Sequence, residues 1–128
     1  MSLLDKKVLF VEDDEMLRVR MEKLLNMFFL YPVKTASTAD EALEIFKNEI
    51  HDLIISDIKT PGKMDGLDFI KEAKKYNSDL KTIIITGFNE ELYNQRAKEL
   101  DINKYFVKPV TVSDILEEIT NLGFTLKT

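Results

Sequence analysis

The feature that most constrains the fold of this chain is a fivefold alternation between short apolar runs and longer amphipathic stretches. The short runs are rich in β-branched and aromatic residues and predict strands at 8–11, 32–36 (the weakest), 53–56, 82–86 and 105–107. The stretches between them carry apolar residues at helical spacing and predict helices at 15–28, 38–48, 67–76, 90–100 and 112–122. This βα alternation predicts an α/β fold, in which a parallel sheet lies between two layers of helices.

Length and composition narrow the class of protein. The five βα units fill the 128 residues, so we expect one domain over 1–128 with a core at about 7–122. The net charge of −5, with scattered lysines, weighs against direct nucleic-acid binding, and the lack of cysteine excludes thiolate catalysis and Cys-ligated zinc. No apolar stretch approaches the length of a membrane span and no secretory signal is present, so we expect no membrane partner and a cytoplasmic protein.

Residues at the helix boundaries suggest where the helices begin and end. Ser37 or Thr38 and Ser113 are placed to cap helices, Asp14 to cap or begin the first helix, and Gly123 to end the last. The single histidine, His51, precedes the third strand, where we expect a capping or surface residue without a functional role.

Polar residues stand where the predicted strands end. Glu12 and Asp13 follow the first strand, Asp57 follows the third, Thr86 ends the fourth and Lys108 follows the fifth. The carboxyl ends of parallel strands form one edge of the sheet, so these side chains should converge although they are spread along most of the chain. Taken singly, each is an ordinary turn, strand or surface residue, and only their shared edge indicates a site.

Carboxylates that converge in this way repel one another, and a hard dication relieves the repulsion. Mg²⁺ is the expected ion, with Mn²⁺ as an alternative. Once a metal screens the cluster, the free oxygen of Asp57 can attack phosphorus and form an acyl phosphate, while the metal and the Lys108 ammonium hold the transferring oxygens.

Four segments, VLFVEDDEMLR, DLIISDIKTPGKMDG, TIIITG and KYFVKPV, occur in this order along the chain. In sequence and spacing they resemble the motifs of response-regulator receiver domains of two-component signalling, the chemotaxis regulators among them. The resemblance covers residues 7 to about 122. It implies a flavodoxin-like (βα)5 fold with strand order 2-1-3-4-5.

The resemblance also implies roles for individual residues. Asp57 would accept the phosphoryl group and bind Mg²⁺ together with Glu12, Asp13 and the backbone carbonyl of Lys59, and Lys108 would contact the phosphoryl group. These assignments describe a phosphoacceptor that assists its own phosphorylation and dephosphorylation, and no enzyme with a separate substrate.

Switching and partners follow from the same resemblance. Thr86 would move toward the phosphate, Tyr105 would turn inward, and the peptide bond before Pro109 would be cis. The phosphoryl group would come from a histidine kinase or a histidine phosphotransfer protein of a phosphorelay. The fourth helix, fifth strand and fifth helix would form the face that contacts an output partner or a second copy of the chain.

The sequence departs from the common family pattern near the acceptor. The loop at 61–66 is one residue longer than the usual P-x-M-D-G, and Lys59 and Phe88 occupy positions that influence hydrolysis in the family. A long cation and a bulky ring there should hinder the attacking water, so we expect a long-lived acyl phosphate.

Three alternatives remain open on the sequence. The chain could be a receiver-like scaffold that acts without phosphorylation, or the excised receiver of a hybrid kinase or a DNA-binding regulator. It could also be a phosphatase of the haloacid-dehalogenase type, although those enzymes typically carry a second acid two places after the nucleophile, where this chain has Lys59.

Overall fold

A computed structural model describes residues 6–87 and 91–126 as a five-stranded parallel sheet with helices on both faces. The strands are β1 (Val8–Val11), β2 (Lys34–Ala36), β3 (Leu53–Ser56), β4 (Lys81–Thr86) and β5 (Lys104–Val107). The helices are α1 (Glu15–Asn26), α2 (Ala39–Asn48), α3 (Gly66–Tyr76), α4 (Glu91–Glu99) and α5 (Val112–Asn121). The strand order, β2-β1-β3-β4-β5, confirms the expected flavodoxin-like (βα)5 fold.

The buried side chains form two layers, one on each face of the sheet. Leu9 and Ile54 pack with α2 and α3 on one face, whereas Phe10 and Ile55 pack with α1 and α5 on the other. Successive strand residues point to opposite faces, and both faces are covered, so the central strands are apolar at nearly every position. Full burial of one such side chain stabilises the fold by about 1.5–3 kcal/mol.

The helix boundaries agree with the sequence to within two residues, the largest difference being at α1, which ends at Asn26 and not at Phe28, but one predicted cap was wrong. Thr38 and Asp14 cap α2 and α1 as expected, and Gly123, at φ +98°, follows the end of α5. The expectation for Ser113 was wrong, since Thr111 caps α5 and accepts a hydrogen bond from the Asp114 amide. The Asp114 carboxylate accepts one from the Thr111 amide in return, a reciprocal capping box that a hydroxyl two residues later cannot form.

His51 is buried, and of the two positions expected for it, capping or surface, it takes the capping one. Only 1% of the residue is exposed, and its ring centroid lies 6.1 Å from that of Phe46 in the core. Its Nδ1 atom lies 2.7 Å from the carbonyl oxygen of Glu49, the C-cap residue of α2, so the expected capping contact is present. Burial lowers the pKa of this imidazole, because the charged form is poorly solvated.

Two further expectations from the sequence concern Phe88 and membrane spans. Phe88, expected to influence hydrolysis, lies outside the described residues. Among the helices of residues 6–87 and 91–126, none is long and apolar enough to cross a bilayer.

Candidate functional site

The register of the sheet brings the predicted site residues to one edge. The Asp57 amide donates to the Val11 carbonyl at 3.1 Å, which places Asp57 beside the end of β1. Farther along the same edge, where β4 and β5 end, the Lys108 amide donates to the Thr86 carbonyl at 2.7 Å, so these two residues are adjacent. The carboxyl ends of four strands therefore meet where the sequence places its polar residues.

Three carboxylates converge at this edge. Glu12, Asp13 and Asp57 each offer an oxygen atom, and these oxygens all lie within 4.8 Å of one another. Glu12 is buried and Asp13 is exposed, so the cluster lies at the protein surface with one wall in the core. Oxygen ligands at this separation, close to solvent, suit a hard dication that keeps several of its waters.

Lys108 bridges two of the three carboxylates. Its Nζ atom lies 3.0 Å from Oδ2 of Asp57 and 3.2 Å from Oε1 of Glu12. Burial acts to lower the pKa of Lys108, but the hydrogen bond and charge of Asp57 and the charge of Glu12 outweigh it and raise the pKa. The ammonium group is thus held in its charged form beside the predicted acceptor.

The charged form of Glu12 remains unfavourable in spite of its contact with Lys108. Burial raises its pKa, and the Asp14 amide and the Lys108 charge offset the effect only in part. Lys108 pairs with two of the three carboxylates described at this edge, so a further cation can neutralise the negative charge that remains there.

Thr86 and Tyr105 occupy the neighbouring part of the sheet. Thr86 is fully buried at the end of β4. Tyr105 lies opposite Ile84 in the β4–β5 register and is half-buried against the core layer formed with α2 and α3. The peptide bond between Lys108 and Pro109 is cis, as expected.

The loop after β3 requires glycine and is anchored by α2. A Cβ atom on Gly66 would lie 2.0 Å from the Asp57 carbonyl oxygen, so a side chain there would displace the acceptor backbone. The lengthened part of the loop turns at Gly62, which has φ +114°. Beyond it, the carboxylate of Asp40 accepts hydrogen bonds from the amides of Lys63 and Met64, both at 3.0 Å, so the extra residue is held in place.

The structure also shows features that the sequence did not predict. Arg18 of α1 donates to the backbone carbonyl of Glu12 at 3.0 Å. A cavity of about 300 Å³ adjoins the cluster and is mainly apolar, between β1, α1 and the start of α5. Its apolar lining includes Phe10, Leu17, Met21, Ile85, Val110 and Ile115. An arginine in a helical stretch and scattered apolar residues give no local signal of either feature.

Comparisons with known proteins agree with this geometry. A family model described as response regulator receiver domain matches residues 8–120. Sporulation initiation phosphotransferase F of Bacillus subtilis is 30% identical over 91% of this chain and 93% of its own length. A probable transcriptional regulator, ycf27 of Guillardia theta, is 36% identical over 86% of this chain, which spans only 42% of that relative.

A solved structure extends the likeness to three dimensions. The response regulator receiver domain protein (CheY-like) from Methanospirillum hungatei JF-1 superposes with a TM-score of 0.83 at 31% identity. The alignment covers 91% of both chains.

Proposed function

The chain belongs to the response regulator receiver domain family of two-component signalling, and on that premise we propose that it is a switch phosphorylated on Asp57. The observation that carries this proposal is the position of the Asp57 carboxylate, which lies within the three-carboxylate cluster and 3.0 Å from the Lys108 ammonium. The Asp57 side chain is largely buried, and 11% of it is exposed to solvent. A phosphodonor can approach the carboxylate from this exposed side.

Phosphoryl transfer at this site needs little covalent chemistry from the protein. An Asp57 carboxylate oxygen attacks the phosphorus, the bond between phosphorus and the donor's nitrogen or oxygen breaks, and the leaving group departs with the bonding electrons. Lys108, no longer shared with a free Asp57 carboxylate, then holds the phosphoryl oxygens with its ammonium group. Gly66 keeps the acceptor backbone in position, because it alone allows the loop to approach the Asp57 carbonyl.

Magnesium fits the donor set at this site. Glu12, Asp13, Asp57 and the backbone carbonyl of Lys59 would hold the ion, and all four are the hard oxygen ligands that Mg²⁺ or Mn²⁺ prefers. When bound, the ion neutralises negative charge on the transferring phosphoryl group. Burial raises the pKa of Glu12, because its charged form is poorly solvated, and a bound cation would favour that charged form.

Signal output would follow a shift between two arrangements of the switch residues. Thr86 contacts the phosphoryl group in one arrangement, and Tyr105 fills the space that it leaves. The face formed by α4, β5 and α5 offers Leu92 and Val107 as exposed apolar side chains for an output partner or a second copy of the chain. A histidine kinase or histidine phosphotransfer protein is the donor, which places the reaction in the cytoplasm, where ATP is available to charge that donor.

The proposal is tested by incubating the protein with acetyl phosphate or phosphoramidate and Mg²⁺, and measuring intact mass. The wild type should gain one phosphoryl group, and Asp57→Ala should gain none. Chelation of Mg²⁺ should abolish labelling of the wild type. Equal labelling of the two proteins would contradict the assignment, and phosphorylation without any change in partner affinity would instead favour a scaffold that acts without phosphate.

A further inference from the structure

The helix α4 is attached to the rest of the molecule by few apolar contacts. Ala97 is the one residue of α4 that is buried, and Leu92 is 62% exposed. Tyr93, and Leu100 just beyond the helix, pack half-buried against the core. A cavity of about 280 Å³ lies between α4 and β5 and is lined partly by Ala97 and Tyr105. Burial therefore stabilises this helix less than it stabilises α2, α3 or α5.

A polar contact to the start of α3 also holds α4 in place. Arg96 donates from Nη1 to Oδ2 of Asp65 at 2.7 Å and from Nη2 to Oδ1 of Asp65 at 3.0 Å. Nη2 also donates to Oδ1 of Asp68 at 3.1 Å. We call these three residues the α4 clamp. A guanidinium that binds a carboxylate through two parallel hydrogen bonds is stronger and more directional than a single exposed ion pair.

Burial and charge both indicate that the α4 clamp is well formed. The side chains of Arg96 and Asp65 are 29% and 23% exposed, so solvent screens them only in part. Burial by itself would raise the pKa of Asp65, but the hydrogen bonds and charge of Arg96 hold it below its usual value. The same hydrogen bonds raise the pKa of Arg96 against the opposing effect of burial.

Two other contacts attach the region of α4, one to the loop after the acceptor and one to α3. Lys59, in the loop after the acceptor, has its Nζ atom 5.8 Å from the centroid of the Tyr93 ring. At the far end of α4, Lys74 of α3 donates to the carbonyls of Leu100 and Asp101. The acceptor loop and α3 thus touch α4 near both of its ends.

The α3 side of the α4 clamp is fixed independently of Arg96. Asp65 caps α3, and its carboxylate accepts from the Asp68 amide at 2.8 Å while the Asp68 carboxylate accepts from the Asp65 amide at 3.0 Å. The Gly66 amide donates to the Ile58 carbonyl at 2.7 Å, which closes the loop below. Loss of Arg96 would leave these bonds intact, so α4 is the part that would gain freedom.

From this asymmetry we infer that Arg96 is a positioning residue that restrains α4 and sets how readily the helix rearranges when Asp57 is phosphorylated. The inference rests on the proposed function. Any displacement of α4 away from α3 must break the bidentate pair with Asp65. Removing Arg96 lowers the free-energy cost of the displaced arrangement and, by linkage, raises affinity for a phosphoryl group or its analogue.

The test is a titration of beryllofluoride, a phosphoryl analogue, in the presence of Mg²⁺, followed by 19F NMR of fluorotyrosine-labelled protein. Arg96→Ala should bind the analogue about three- to fivefold more tightly than the wild type, an effect of the size expected for a partly exposed pair. Arg96→Lys keeps the positive charge but loses the two parallel hydrogen bonds of the guanidinium. Its affinity for the analogue should lie between those of the wild type and Arg96→Ala. Asp68→Asn leaves one side-chain oxygen for the two bonds that Asp68 accepts and keeps the bidentate pair of Arg96 with Asp65, so it should shift the affinity in the same direction by less.

The matched control is Lys75→Ala, which removes the exposed ion pair between Lys75 and Glu72 on α3 without touching α4. Its affinity for the analogue should equal that of the wild type. Urea unfolding of each variant separates restraint from simple destabilisation, because a merely structural role lowers stability without tightening binding.

Several outcomes would overturn the inference. Unchanged or weaker binding by Arg96→Ala contradicts a restraint, and equal tightening by Lys75→Ala contradicts its location. A wild-type protein that neither binds beryllofluoride nor becomes phosphorylated would overturn the proposed function and this inference with it. Normal phosphorylation without an effect of Arg96 would overturn the inference alone.

Discussion

Charged side chains are arranged differently at the two ends of the strands. At the amino ends of β1, β2 and β3, Lys34 lies 3.0 Å from Glu49, Lys7 lies 3.5 Å from it, and the Lys7 amide donates to Asp52 at 2.8 Å. Positive and negative groups alternate there, and the paired side chains are about a third to a half exposed. This arrangement is a balanced, solvated network of the kind that contributes modestly to stability.

At the carboxyl ends the described carboxylates outnumber the lysine that contacts them, and two of the three are poorly solvated. Lys108 faces Glu12 and Asp57, whose side chains are 5% and 11% exposed, and Asp13 completes the acidic cluster. The pKa values record the contrast, since burial raises that of Glu12 while Lys34 lowers that of Glu49. An unbalanced edge is unfavourable to the fold but suits a metal ion and a phosphoryl group, so we attribute function to this edge and stability to the other.

The largest expected effect comes from removing the lysine of the carboxyl edge. Lys108→Met should lower the rate of phosphorylation by acetyl phosphate about a hundredfold or more, because a preorganised ammonium is lost beside the developing negative charge. Intact-mass time courses with Mg²⁺ present measure the rate. Lys34→Met, its counterpart at the amino edge, should phosphorylate as the wild type does, and equal rates for both variants would break the comparison.

The next effect is the response of stability to Mg²⁺. With free Mg²⁺ at about ten times its dissociation constant, the wild type should gain about 1.4 kcal/mol in the free energy of unfolding. Asp13→Asn should lose most of this gain, because it removes one carboxylate of the cluster. Urea unfolding with and without Mg²⁺ measures the difference. Glu49→Gln should respond like the wild type, and a full response by Asp13→Asn would contradict the proposed ligand set.

Opposite signs of pH dependence sharpen the comparison further. The folded-state pKa of Glu12 is raised, so ionisation of this residue destabilises the fold once the pH exceeds the unfolded value of 4.5. In the absence of Mg²⁺, Glu12→Gln should therefore gain stability relative to the wild type as the pH rises from about 4 to about 7, by about 1 kcal/mol.

Glu49→Gln provides the control with the opposite sign. The folded-state pKa of Glu49 is lowered, so its charge stabilises the fold above 4.5 and that contribution is lost as the pH falls. This variant should lose stability relative to the wild type over the same rise in pH. Urea unfolding at several pH values tests both variants, and slopes of the same sign would refute the contrast between the two edges.

The smallest expected effect concerns His51. Burial lowers its folded-state pKa below 6.5, so protonation of the unfolded chain removes stability from the wild type as the pH falls through 6.5 toward the folded value. His51→Leu should lack this part of the decline, which we expect to be under about 1 kcal/mol. Thermal unfolding between about pH 7 and about pH 5 measures it, and identical slopes for the two proteins would show that His51 does not titrate on unfolding.

The sequence predicted the convergence of the candidate site residues better than it predicted the contacts around them. The strands β1 and β3 begin and end where the apolar runs do, and the four strand ends converge because parallel strands share a carboxyl edge. The predicted β2 began two residues too early, because Pro32 and Val33 extend the apolar run before the strand begins at Lys34.

Contacts between distant segments carry no local signal in the sequence. His51 is buried because Phe46 and the end of α2 enclose it, and nothing in its neighbours along the chain indicates that burial. Arg96 lies 31 residues from Asp65, within a helix whose polar composition is typical of a solvated surface. The pairing depends on how α3 and α4 pack, which periodicity alone does not determine.

The most direct test of the account is to locate the phosphoryl group on the wild-type chain. The protein is labelled with acetyl phosphate and Mg²⁺, digested, and analysed by peptide mass mapping with fragmentation. We predict one phosphoryl group, on Asp57, absent when Mg²⁺ is chelated. Labelling at another residue, or labelling of Asp57 that does not require Mg²⁺, would contradict the assignment of the carboxyl edge as a metal-assisted phosphoacceptor.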